Sequence, residues 1–215
     1  MKYDRATSKN AASAADREKF DPFADRTARD LRNSLSVALA QALAAGQRDG
    51  YHQLARRWRE RNPSAACRRY LEDRLERYDR AMAACKDLPD PSPTMTAGVL
   101  WNLGLFFEVH EVVERIWRVA EGGRREALKG LVQAAGVFVQ LEAGRPEPAA
   151  RLAARAAQRL DRWRKNLPEI SNLEELLAGL GAHPAAACRL AAARPCRATA
   201  DRQARLNIRR KPDQG

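Results

Sequence analysis

Apolar residues recur along most of this 215-residue chain at the three- and four-residue spacing of amphipathic α-helices. Period-two alternation, the pattern of half-buried β-strands, occurs nowhere in the sequence. The pattern therefore predicts an all-α protein, a helical bundle of antiparallel helices with an N-terminal helical extension. Short glycine-containing connections at 122–123 and 144–146 separate the longest helices, and such connections favour antiparallel neighbours.

The N-terminal region, residues 21–88, is predicted to contain three helices. Asp21-Pro22 has the form of an N-cap followed by proline at the first helical position, and Gly46 provides a stop. A shorter helix ends at Asn62-Pro63, and Ser64 is the predicted N-cap of the third. The third helix carries one apolar stripe, formed by Cys67, Leu71, Leu75, Tyr78, Met82 and Cys85.

Prolines mark the main internal boundary of the chain. Pro89, Pro91 and Pro93 interrupt the helical pattern, which predicts a short stiff linker over residues 89–96. A three-helix core domain is expected after this linker, over residues 97–167. Its helices are predicted over roughly 97–120, 124–143 and 147–167. The second is apolar almost all round, which predicts a central helix, and its small residues would let neighbouring helices approach closely: Gly130, Ala134, Ala135 and Gly136.

The two ends of the chain differ from this core in composition. A short helix is expected within residues 168–188, beginning at a capping box formed by Ser171 and Glu174. Residues 1–20 and 189–215 are polar or small in character and are predicted to be disordered.

Positive charge is concentrated in two of these regions. The chain has 39 Lys and Arg against 27 Asp and Glu, a formal net charge of +12. Segment 189–215 holds eight Lys or Arg and two Asp, and segment 147–167 holds six basic and two acidic residues. Such segments attract nucleic-acid phosphates, although here they could also simply solvate helix surfaces, since no recognition motif accompanies them. The nucleic-acid contacts predicted on the first interpretation are Arg151, Arg155, Arg159, Arg205, Arg209 and Arg210.

The sequence predicts a cytoplasmic protein that makes no membrane contact. No window approaches the ~18 uninterrupted apolar residues of a membrane helix, and the N-terminus has no apolar signal-peptide run. The four cysteines form no C-x-x-C pair. Cys67 and Cys85 lie ~27 Å apart on one predicted helix, too far to bridge, so both are expected to be reduced core residues.

Titratable side chains are concentrated between Glu108 and Glu114. If 97–120 is one continuous helix, His110 falls within its apolar arc and Glu108 falls on its solvent side. Glu114 then lies one turn from His110. The first interpretation is a buried pair of these two side chains that fixes helix packing, with Gln133 as their partner across the interface.

A second interpretation treats H-E-x-x-E as a relative of the zinc-protease motif H-E-x-x-H. His110 and Glu114 would then bind a divalent metal ion, and Glu111 would act as general base. A zinc site needs at least three protein ligands, and neither His52 nor His183 belongs to a known downstream ligand motif. No cofactor is therefore predicted, and a metal-dependent hydrolase remains the alternative.

Three stretches of the sequence resemble the domain of unknown function family 309: residues 100–102, 106–117 and 128–135. The resemblance covers roughly residues 97–167, and residues 20–33 are similar to the N-terminal extension of some longer members. It implies a small all-helical domain of bacterial distribution without an established activity. The family motif maps onto Glu108, His110, Glu111, Glu114, Trp117 and Gln133.

The leading functional prediction is a binding or scaffolding module, with no reaction assigned to it. His110, Glu111, Glu114 and Gln133 form its predicted polar cluster. A protein partner or a second copy of the chain is the expected partner, and a nucleic-acid accessory protein that binds through its basic helix and tail is a further alternative.

Overall fold

The computed structural model of the chain describes residues 19–88, 92–181 and 190. Eight α-helices and one 3₁₀ turn make up most of this described part, which contains no β-strand, so the all-α prediction is confirmed. None of the described helices combines the length and apolar character needed to cross a membrane. The helices are α1 Arg26–Ala45, α2 Asp49–Glu60, α3 Ala65–Lys86, α4 Pro93–Asn102, α5 Phe106–Val119, α6 Gly122–Glu142, α7 Pro146–Trp163 and α8 Leu173–Gly181, with the 3₁₀ turn at Arg164–Asn166.

Local signals set several helix ends. Ser64 caps α3 through its side chain, and Gly46 ends α1 in the left-handed conformation with φ of 68°, both as predicted. The predicted start of α1 at Asp21 is wrong. Asp25 is the N-cap and accepts a hydrogen bond from the backbone N–H of Thr27 at 2.8 Å. The Asp21 carboxylate instead accepts hydrogen bonds from backbone amides of a turn that precedes the helix.

The helix predicted over 97–120 is two helices, α4 and α5. They separate at Gly104, which has φ of 68°, a conformation that interrupts the helical hydrogen-bond ladder. A Cβ atom at Gly104 would also lie 2.8 Å from a guanidinium nitrogen of Arg77. The prediction failed because apolar residues on both sides of the glycine keep helical spacing. Helix α4 begins at Pro93, inside the segment predicted as linker.

Helix α6 lies at the centre of the family-like segment, as its nearly continuous apolar surface predicts. Helix α7 packs along it, and two glycines of α6 allow the close approach. A Cβ atom at Gly130 would lie 2.9 Å from Cγ of Leu160, and one at Gly136 would lie 2.8 Å from Cδ2 of Leu152. The predicted role of these glycines is confirmed.

Buried apolar residues of the N-terminal helices and of α4–α8 form one connected core. Helix α1 packs against α5, and Arg115 of α5 donates a hydrogen bond to the backbone carbonyl of Ala40 at 3.2 Å. Helix α5 is therefore covered on two sides, by α6 and by the N-terminal helices. Because both sets of helices pack on α5, they together determine which of its polar residues are buried. The domain boundary within 89–96 itself stays a prediction, since residues 89–91 lie outside the described part.

Candidate functional site

Helix α5 places its polar residues differently from the sequence prediction. Glu108, predicted on the solvent side, is only 1% exposed, whereas the side chain of His110, predicted within the apolar arc, is 45% exposed. Both predictions are wrong because the buried face of α5 is centred near Val109 and Val112. The N-terminal helices cover the side of α5 that carries Glu108, and a helical wheel of α5 alone contains no information about them.

Glu108 belongs to a buried polar group that joins α3 to α5. The Tyr78 hydroxyl donates to Glu108 Oε1 at 2.6 Å, and Nε of Arg74 lies 3.7 Å from the same oxygen. Arg74 is only 5% exposed and also lies 3.5 Å from Glu142 of α6. Burial raises the pKa of Tyr78 well above its ordinary value, and the nearby Glu108 charge adds to this effect. The group ties three helices together. Arg74, Tyr78 and Glu108 are buried, whereas the side chain of Glu142 is 44% exposed.

On another side of α5, His110, Glu111 and Glu114 form what we call the His110 cluster. Nδ1 of His110 lies 3.8 Å from Oε1 of Glu111 and 3.8 Å from Oε2 of Glu114. One nitrogen or oxygen from each residue can be chosen so that all three lie within 4.8 Å of one another. Both glutamates are 27% exposed, so the cluster is half-buried.

The electrostatics of the cluster centre on the imidazole. The interaction with His110 is the largest cause that lowers the pKa of Glu111 below its ordinary value, and partial burial opposes it. Glu111 therefore presents a negative charge to Nδ1 at neutral pH. Glu114 accepts a hydrogen bond from Arg118 through Oε1 at 2.9 Å, which leaves Oε2 facing His110. Nδ1 is shielded from solvent and has no hydrogen-bond partner among the described residues.

A cavity of about 190 Å³ adjoins the cluster between α5 and α6. Gln133 lines it but accepts a hydrogen bond from Nε of Arg159 at 3.2 Å, so it is not the hydrogen-bond partner of His110 that the sequence predicted. Nε1 of Trp117, also shielded from solvent, has no hydrogen-bond partner within the described ranges. The cavity thus places hydrogen-bond donors beside the two carboxylates of the His110 cluster. Its lining is His110, Glu114, Trp117, Lys129, Val132 and Gln133.

The basic residues predicted to contact nucleic acid have different environments. Arg151 and Arg155 are exposed on α7. Arg159 is engaged by Glu126 and Gln133 and faces α6. The remaining predicted contacts lie outside the described residues: Arg205, Arg209 and Arg210.

Sequence reasoning missed Arg74 and Tyr78, the two partners of Glu108. Tyr78 was assigned only to the apolar stripe of α3, where it is fully buried as that stripe requires. A tyrosine in such a stripe needs a hydrogen-bond partner for its hydroxyl, which was the one available signal of a buried acceptor nearby. For Arg74 the sequence contained no comparable signal.

Comparison with known families places both polar groups of α5 within a family-like segment. Residues 95–152 match the model of a family described as domain of unknown function (DUF309), which confirms the resemblance expected from the motifs. The match runs from α4 into α7, whereas Arg74 and Tyr78 precede it. No curated protein and no solved structure matches the chain.

Proposed function

We propose that the protein is a binding module whose His110 cluster binds a divalent metal ion. The supporting observation is the convergence of one imidazole nitrogen and two carboxylates on a single side of α5. Ligands held at ~2.0–2.5 Å from one ion lie ~3–4 Å from each other. The 3.8 Å separations from Nδ1 of His110 fall in this range, so small side-chain rotations suffice.

The chemistry of the donors narrows the class of ion. One imidazole with two carboxylates suits zinc, manganese or iron better than calcium or magnesium, which prefer oxygen ligands alone. The shielded Nδ1 atom of His110 also needs a partner, because a buried polar atom without one is costly. A metal ion or a proton would satisfy it, and the two occupants would compete.

The same geometry favours binding over the hydrolase alternative. The zinc-protease motif H-E-x-x-H uses as its general base a glutamate that does not bind the metal. Glu111, the predicted base, is one of the three converging donors, and Glu108 is buried on a different side of α5. The adjoining cavity leaves room for water or a small anionic group beside the ion, and Lys129 lines that cavity.

Metal binding by the full-length, untagged protein tests this proposal. Metal-free protein would be titrated calorimetrically with zinc, manganese and iron(II), and the bound metal counted by elemental analysis. We expect about one equivalent of one of these ions and a rise in melting temperature that grows with metal concentration. His110→Ala and Glu111→Gln should each weaken binding about tenfold or more. Glu121→Gln, which removes an exposed carboxylate outside the cluster, is the matched control.

The dependence of binding on pH provides a second measurement. Protons compete with the metal for the imidazole and the carboxylates, so affinity should fall about tenfold or more between pH 7.5 and 5.5. Binding of less than about 0.2 equivalents of every ion tested, without a thermal shift, would show the proposal to be wrong. Equal binding by the wild-type chain and the His110→Ala variant would place the ion elsewhere.

A further inference from the structure

Three arginines form a row along the outer face of α7, which we call the arginine row: Arg151, Arg155 and Arg162. At ~100° per residue they lie within ~40° of each other around the helix, and eleven residues at ~1.5 Å span ~16 Å. All three are exposed, and none forms an ion pair with a carboxylate of the described residues. Glu147, one turn before Arg151, makes no ion pair with it.

Two other arginines of this region are neutralised by nearby carboxylates. Arg159 pairs with Glu126 of α6. Arg164 pairs with Asp161, at 3.8 Å, and with Glu174 of α8. The paired arginines thus lie where α7 and the following turn meet their neighbours, whereas the row faces outward and keeps its charge. Guanidinium groups remain protonated at all physiological pH values, so this charge is permanent.

We infer that the arginine row is a contact surface for the phosphate backbone of a nucleic-acid duplex. Duplex DNA carries one phosphate per ~3.4 Å of helix axis on each strand, so a ~16 Å row is long enough to contact several phosphates. Arginine binds phosphate well because its planar fork of N–H donors matches phosphate oxygens. This inference goes beyond the metal proposal and does not depend on it.

The surroundings of the row favour a nucleic acid over an anionic membrane. A helix that lies on a membrane surface presents large apolar side chains beside its basic residues. Here the residues between the arginines on the outer face are small or polar, as at Ala154 and Gln158, and Leu160 faces the core. The exposed large apolar residues of the described part, Val37 and Val119, are on other helices.

The salt dependence of binding by the full-length chain tests the row directly. Fluorescence anisotropy would measure affinity for duplex DNA and for duplex RNA of about 20 base pairs between ~50 and ~200 mM salt. Each phosphate contact contributes about 0.9 to the slope of log K against log salt for duplex DNA. A triple variant, Arg151→Gln with Arg155→Gln and Arg162→Gln, should therefore lower that slope by about two to three and weaken binding at every salt concentration.

A second triple variant controls for net charge. Arg29→Gln, Arg56→Gln and Arg57→Gln remove the same charge from exposed positions on α1 and α2. This variant should leave the slope for duplex DNA within about half a unit of the wild-type value. Thermal melting of both variants confirms that each is folded, and the DNA and RNA arms show which duplex binds more tightly.

Three outcomes would overturn the inference. The first is no binding of either duplex by the wild-type chain at ~50 mM salt, where phosphate contacts are strongest. The second is an equal loss in both triple variants, which would indicate attraction by overall charge alone. The third is binding to phosphatidylserine-containing vesicles that exceeds duplex binding and depends on the row, which would assign this surface to a membrane.

Discussion

The hydroxyl of Tyr78 donates a hydrogen bond of 2.6 Å to Oε1 of Glu108, and this contact joins α3 to the segment that matches the family model. Both residues are almost completely buried. Oε2 of Glu108 has no hydrogen-bond partner within the described residues, so the Tyr78 bond carries much of the stabilisation of this carboxylate. The N-terminal helices are therefore part of the environment of the family-like helices.

Removing the Tyr78 hydroxyl should destabilise the fold. Tyr78→Phe leaves a buried carboxylate without its hydrogen-bond donor, and we expect the free energy of unfolding to fall by about 1–3 kcal/mol. Glu108→Gln should have an effect of similar size. Urea denaturation followed by circular dichroism would measure both, and the double variant should show a coupling energy of about 1 kcal/mol. Additive effects within about 0.3 kcal/mol would contradict a direct interaction.

Gly130→Ala tests the close packing of α6 on α7. The new Cβ atom would lie 2.9 Å from Cγ of Leu160, so the two helices must separate or Leu160 must change rotamer. We expect a loss of about 1–3 kcal/mol in the free energy of unfolding. Gly98→Ala in α4 is the matched control, because a Cβ atom there would meet no atom of another helix within 4 Å. That control should stabilise the protein by about 0.5–1 kcal/mol through helix propensity, and a similar loss in both variants would contradict this packing.

Arg124 joins the start of α6 to the segment that follows α7. Its two terminal nitrogens donate to the carboxylate of Glu169 at 2.8 and 2.7 Å, and Nη1 also donates to the backbone carbonyl of Asn166 at 2.7 Å. Arg124→Lys keeps the charge but loses the forked geometry of the guanidinium group. We therefore expect the free energy of unfolding, measured by urea denaturation, to fall by about 1–2 kcal/mol. Arg125→Lys at the neighbouring exposed position should change the same quantity by less than about 0.5 kcal/mol.

Glu142 should make folding less favourable as pH rises. Burial is the largest cause that raises its pKa above the ordinary value, and Arg74 opposes this effect. The folded state then binds more protons than the unfolded state just above the ordinary glutamate pKa, so stability falls as pH increases through that window. Glu142→Gln removes this titration.

Urea denaturation at about pH 4 and pH 7 would check the pH effect. The free energy of unfolding of Glu142→Gln, relative to that of wild type, should be higher at pH 7 than at pH 4. The reason is that wild type carries the charged carboxylate only at the higher pH. An unchanged difference between the two pH values would show that the carboxylate does not titrate differently in the folded state. Glu147→Gln, at an exposed position of α7, is the control.

Sequence patterns were most successful where a structure depends on near neighbours in the chain. Ser64 and Gly46 act through backbone groups within a few residues, so their roles were predicted correctly. The central position of α6 followed from its own composition. The break at Gly104 was missed because a glycine in the left-handed conformation leaves the spacing of apolar residues unchanged.

The candidate site required more than these local patterns. The sequence alone determined that Glu114 lies close to both His110 and Glu111, because residues three and four positions apart on one helix are neighbours. Tertiary structure decided that Glu108 is buried beside Tyr78 while His110 is half-exposed beside a cavity. Burial depends on which other helices cover each side of α5. Those helices come from distant parts of the chain, so neither helical spacing nor the motif itself specifies them.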